Sequence, residues 1–152
     1  MTTTQFDFSN DDWDEIAATP VLVGLAVARA EDSGFIGSIR EIRSLIAAVG
    51  AGGDDGPARS LIDGAAATEA KATLKDYAKV APEVLADSAV EACGRLHRLL
   101  DGTAEAEESL GYRRWVLDVA TTVAEAATEQ RVRVSPPEAA LIGRLTSALG
   151  LG

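Results

Sequence analysis

With 152 residues and an apolar fraction of 47%, the chain suits one domain built around one core. A formal charge of −10 argues against affinity for a nucleic-acid backbone or an anionic lipid surface, since both are held by clustered lysine and arginine. Aromatic residues make up only 5%, so alanine, leucine, valine and isoleucine must fill the core, a bias towards close-packed helices over sheet.

The first helical signal starts at Ser9 or Asn10, both good N-caps, followed by Asp11, Asp12 and Asp14 near the positive end of the helix dipole. Trp13, Ile16, Ala17, Val21, Gly24, Leu25 and Ala28 recur at helical spacing, and Pro20 within that stretch predicts a kink or a fresh start. Phe6 and Phe8, with Phe35, read as exposed hydrophobes near helix starts that suit association, or, for Phe6 and Phe8, as a staple of the N-terminal segment onto the bundle. A second helix reads from about Ile36 to Val49, with Ile36, Ile39, Ile42, Ile46 and Val49 on one face. The run from Gly50 to Gly56 is a glycine- and aspartate-rich connector.

Pro57 is placed to open a third helix that continues through Leu61, Ala65, Leu74 and Tyr77. Pro82 opens a fourth, with Leu85, Ala89, Ala92, Leu96 and Leu99 as its core stripe, and Asp101-Gly102 ends it. The fifth carries Val116, Val119, Val123 and Ala127. Arg131 to Val134 is a loop or a brief extended piece. Ser135, Pro136 and Glu138 form a capping-box signature for the sixth helix, which carries Leu141, Ile142, Leu145 and Leu149. The expectation is one all-α domain over 1–152, a compact bundle of about six helices. A first helical pair spans about 9–50, a loop 50–56, middle helices about 57–101 and a last pair about 105–150.

The two ends of the chain resemble each other. Trp13, then Val27 to Ala30, a loop, and Ile42, Leu45, Ala48, Val49 and Gly50 parallel Trp115, then Val123 to Ala126, a loop, and Ile142, Leu145, Ala148, Leu149 and Gly150. Either two amphipathic alanine-rich helices align by composition alone, or the chain holds two helix-loop-helix units about a pseudo-twofold axis. The second reading resembles the TerB-like proteins of bacterial tellurite resistance, and a set of bacterial helical proteins with a tryptophan near the start. The residues that carry the likeness are Trp115, Val123 to Ala127, Val134-Ser135, Glu138, Leu145 and Ala148 to Gly150. The resemblance implies an all-α fold, and carboxylates at the helix-loop-helix turns that bind a divalent cation in a bacterial stress response. The positions that match are Glu31, Asp32 and Glu41 in the first loop. In the second loop, Arg131 and Arg133 accompany Glu129 and Glu138 and repel a cation.

Other chemistry is sparse. Cys93 and His97, spaced i, i+4, are the only cysteine and the only histidine, too few to hold zinc, and read best as a buried thiol beside a rim imidazole. A lone cysteine closes no internal disulfide, which fits a reducing cytoplasm. Asp54 and Asp55 are the other candidate oxygen ligands for calcium or magnesium, although the twelve-residue calcium-loop pattern is absent. The stretch from Met1 to Asn10 lacks the basic start and apolar run of a signal peptide, and no apolar stretch reaches membrane-spanning length. Glu105, Glu107 and Glu108 lie close enough to Arg113 and Arg114 for local ion pairs. No cofactor is implied beyond a divalent cation. The preferred reading is a small non-catalytic binding or interaction module that associates with itself or with another protein. The alternatives are the TerB-like ion-binding domain and an enzyme whose pocket leaves no sequence signature.

Overall fold

The computed structural model describes residues 3–30, 44, 46, 58–68, 80–127 and 136–151. Five α-helices make up the bundle described here: α1 (Asn10–Ala30), α2 (Arg59–Ala67), α3 (Pro82–Thr103), α4 (Ala106–Ala127) and α5 (Pro136–Ala148). A short 3-10 turn, Gln5–Asp7, precedes them, Ser44 and Ile46 are also helical, and there is no strand among the described residues. Of the second helix of the proposed first pair only Ser44 and Ile46 are described, so the duplication lies largely outside the described residues.

Ser9 is the residue that caps α1. Its hydroxyl accepts the Asp12 N–H at 3.1 Å and its carbonyl accepts the Trp13 N–H at 2.9 Å. Asp11 and Asp12 then occupy the first turn, where the helix dipole favours negative charge.

The helix does not follow the amphipathic pattern expected of it. Every residue from Ile16 to Ala28 is buried, because α1 is the axis of the bundle and packs against α2, α3, α4 and α5. The contiguous run Val21 to Ala28, with no charge in it, is the sequence signal of that all-round burial. Leu25, Val23 and Val27 are wholly shielded from solvent. Each such side chain contributes roughly 1.5–3 kcal/mol relative to exposure.

Pro20 neither ends nor restarts α1, which runs through it unbroken. A proline in a helix interior deprives the carbonyl four residues earlier of its donor. That carbonyl belongs to Ile16, and the Tyr112 hydroxyl of α4 donates to it at 2.8 Å. The tyrosine thus replaces the missing N–H from across the helix interface.

The stretch expected to continue from Pro57 through Tyr77 is instead broken after Ala67. Thr68 is extended at φ −87° and ψ 130°, and both sides of its hydroxyl are used. The hydroxyl donates to the Gly64 carbonyl at 2.7 Å and accepts the Trp13 indole N–H at 3.1 Å. Pro57, Leu74 and Tyr77 lie outside the described residues.

Pro82 opens α3, with Ala81 extended before it as the proline ring requires. The α3 core stripe is Leu85, Ala89, Ala92, Cys93, Leu96 and Leu100; Leu99, expected there, is only half-buried. Across the stripe, α4 presents Tyr112, Val116, Val119, Ala120 and Val123. Arg95 of α3 and Glu15 of α1 add a half-exposed ion pair where those two helices pack.

Gly111 lets α4 approach the start of α2 closely. A Cβ at this position would stand 2.8 Å from the Ala58 Cβ, closer than carbon atoms tolerate. Gly111→Ala is therefore expected to cost about 1–2 kcal/mol in urea unfolding, as overpacking does; unchanged stability would show that the two helices part freely.

α5 starts at Pro136, as expected, and inserts Leu141, Leu145 and then Leu149 into the core. Glu138 is fully buried in its first turn, and Ser135, its expected capping partner, lies outside the described residues. At the other end Gly150 adopts φ +72°, the left-handed conformation that glycine enters without a Cβ penalty. The Leu151 N–H bonds the Thr146 carbonyl and the Gly150 N–H bonds the Ser147 carbonyl, both at 3.0 Å, which is the Schellman ending.

Candidate functional site

The expected thiol–imidazole pair on α3 does not form a reactive site. Cys93 is wholly buried among the core aliphatics, and burial pushes its thiol up to about 12, so it carries no thiolate to coordinate a metal or attack a substrate. His97 sits on the rim of the bundle and turns to Asp101 on the next turn of α3, with Nε2 2.9 Å from Oδ2.

That contact belongs to a larger polar network that the sequence pattern does not single out. The Ser109 hydroxyl of α4 donates to Asp101 Oδ1 at 2.7 Å, and Arg113 Nε donates to Ser109 Oγ at 3.1 Å. Arg113 Nη1 donates to the Leu149 carbonyl at 2.6 Å, tying the C-terminal turn of α5 to α4. Gly150 lies against the imidazole itself, since a Cβ there would stand 2.5 Å from His97 Cε1 and 3.2 Å from Arg113 Nη1.

A serine, a histidine and an aspartate in one network invite comparison with a nucleophilic triad, and the order of bonds decides against it. In a triad the imidazole lies between hydroxyl and carboxylate and takes the hydroxyl proton. Here the carboxylate lies in the middle, and Ser109 gives its hydrogen bond to Asp101 while Arg113 occupies its lone pair. Ser109 is also fully buried, out of reach of a substrate. What this arrangement does chemically is to satisfy buried polar groups where three helix ends meet.

Glu108 takes a similar role one turn away. Instead of pairing with Arg113 or Arg114, its carboxylate accepts the Thr3 N–H at 2.7 Å, the Thr3 hydroxyl at 2.6 Å and the Glu105 N–H at 3.0 Å. Burial by itself would raise its pKa, but the bonds from Thr3 and Glu105 outweigh that and hold the carboxyl below the usual glutamate range. The expected pair between Glu108 and Arg113 does not form because both are buried and already committed, Glu108 to Thr3 and Glu105, and Arg113 to Ser109 and the Leu149 carbonyl.

An open recess of about 350 Å³ lies where the end of α1 meets the starts of α3 and α5. Ala30, Ala86 and Leu141 line its floor. Its rim carries Glu83, Asp87 and Arg144, with Arg144 Nη2 donating to Asp87 Oδ1 at 2.8 Å. Those polar groups face each other across the rim and do not converge on the interior.

The candidate cation ligands Glu31, Asp32, Glu41, Asp54 and Asp55 all lie outside the described residues. Among the described residues no three acidic, histidine or cysteine side chains come together as a metal site. No described helix is long and apolar enough to cross a membrane. No family model, curated protein or solved structure matches this chain.

Of the residues that shape these features, sequence reasoning missed Ser109 and the recess, read Asp101 only as the end of a helix that in fact runs to Thr103, and assigned Arg113 and Glu108 the wrong partners. The spacing of Ser109 and Arg113 at i, i+4 was a visible signal, but an arginine after three glutamates reads first as a surface pair.

Proposed function

We propose that this chain is a small non-catalytic interaction module that associates with a second copy of itself through the recess between α1, α3 and α5. The observation that supports this reading is the recess itself: an apolar floor with both charge signs on its rim. Val84, 54% exposed on the first turn of α3, extends the apolar surface beside it.

A twofold interface requires one patch to complement itself, so that a residue and its partner exchange roles across the axis. Arg144 on one side and Glu83 and Asp87 on the other supply that complementarity in a single surface. The outward positions of α5 add little to oppose it. Ala139, Ala140 and Gly143 are exposed and uncharged, and nothing stands within 4 Å of where a Gly143 Cβ would be. Small side chains permit the close approach of a partnering helix.

Sedimentation equilibrium between about 1 and 100 µM tests the reading, a range set by the weaker self-associating interfaces. The expected mass exceeds one chain at the upper end, and Ala140→Glu returns it to one chain by placing a carboxylate in the recess. A mass of one chain throughout would overturn the reading. An increase in melting temperature with millimolar calcium or magnesium would instead favour the carboxylate ion-binding alternative.

A further inference from the structure

Residues 3–8 lead from the start of α4 to the start of α1 and touch the bundle at few points. The hydrogen bonds inside this stretch are local. The Asp7 N–H bonds the Thr4 carbonyl at 3.0 Å, the Thr4 N–H bonds Asp7 Oδ2 at 2.8 Å and the Phe6 N–H bonds Thr4 Oγ1 at 3.3 Å. Such bonds stiffen the segment without tying it to the helices. Phe6, at its middle, is 87% exposed.

Its hydrogen-bonded and aromatic attachments among the described side chains are at the two ends, and between them the 3-10 turn lies beside α2. Thr3 gives both of its donors to Glu108, and the Phe8 ring lies 6.0 Å from the Trp13 ring and packs on the core. The N-cap of α1 does not depend on the segment, since Ser9 supplies it.

We propose that residues 3–8 are a strap that opens as a unit while the five helices stay folded, with Glu108 as its latch. Local openings of this kind cost less free energy than global unfolding because they release few buried contacts. Glu108 is suited to the role because the Glu105 N–H holds its Oε1 on α4 whether or not Thr3 is present. The latch therefore stays set when the strap leaves. Opening uncovers the face of Trp13 that Phe8 covers and frees a buried carboxylate to accept another donor. This stands independently of the self-association reading.

Hydrogen exchange on the full chain, followed by mass spectrometry, tests it against Glu108→Gln. Glutamine offers one acceptor oxygen where the carboxylate offers two. Whichever way it turns, its NH2 group faces the N–H of either Thr3 or Glu105. The expected result is a loss of protection of about tenfold or more in peptides covering residues 3–8, with α1 and α3 unchanged, a factor that corresponds to one charge-assisted hydrogen bond. Loss of protection in α1 to the same degree would show that the strap is no separate unit. Unchanged protection of residues 3–8 would show that Glu108 is no latch. If Glu108→Gln does not fold, Thr3→Val removes only the hydroxyl bond and is read in the same way, with a several-fold loss expected.

Discussion

Tyr112→Phe is expected to destabilise the protein by about 2–3 kcal/mol in urea unfolding, the cost of a buried carbonyl left without a donor. The phenylalanine ring fills the same volume, so the packing against Trp115, at a centroid distance of 5.3 Å, is retained. What disappears is the donor that stands in for the missing N–H of Pro20 at the Ile16 carbonyl, and Ile16 is wholly shielded from water. Burial also raises the Tyr112 pKa, which keeps the hydroxyl protonated and able to donate.

The explanation is specific enough to be checked by a double-mutant cycle. Pro20→Ala returns an N–H to the helix ladder, so in that background Tyr112→Phe should cost less than about 1 kcal/mol. Equal costs in the two backgrounds would show that Tyr112 contributes through packing and not through the proline.

Arg113→Ala is expected to cost about 3 kcal/mol, in the range seen when one member of a buried charged network is removed. The Leu149 carbonyl loses its donor at 2.6 Å and Ser109 Oγ loses its donor at 3.1 Å. Asp101 also loses the guanidinium, with Nη2 at 3.9 Å.

Arg113→Lys should recover less than half of the loss. A single ammonium cannot reach Ser109 on one side and Leu149 on the other as the planar fork does. The loss should be visible locally as faster hydrogen exchange at residues 146–151, where the Schellman turn rests on Arg113 and His97. A cost below about 1 kcal/mol would mean that the C-terminal turn holds without the arginine.

Both residues show how the bundle handles its polar groups. Tyr112, Arg113, Ser109 and Glu108 occupy the first two turns of α4, and each binds a segment from elsewhere in the chain. α4 is consequently the part of the molecule where the N-terminal strap, the α1 proline and the C-terminal turn are all tied down. A mutational scan of the surface would miss this, because Ser109 and Tyr112 are wholly buried and Glu108 and Arg113 nearly so.

The helical class, the cap at Ser9, the helix-opening prolines Pro82 and Pro136 and the glycine ending at Gly150 were legible in the sequence because they depend on residues within a turn or so of one another. A cap needs an acceptor three residues from its donor, a helix-opening proline needs only its own ring, and a C-terminal glycine needs only its freedom at positive φ. The buried stripes of α3 and α5 were legible nearly to the residue for the same reason, Leu100 replacing Leu99 where the α3 stripe drifts around the helix.

Tertiary structure alone decided the rest. That α1 is the axis, and no outer amphipathic helix, follows from how many helices surround it. That Pro20 is tolerated follows from a tyrosine 96 residues beyond the carbonyl it bonds. Arg113 reaches a carbonyl 36 residues on, and Glu108 reaches a threonine 105 residues back. Local periodicity carries no record of such pairings: they exist only once burial removes water as the competing partner and helix packing brings distant donors and acceptors within 3 Å.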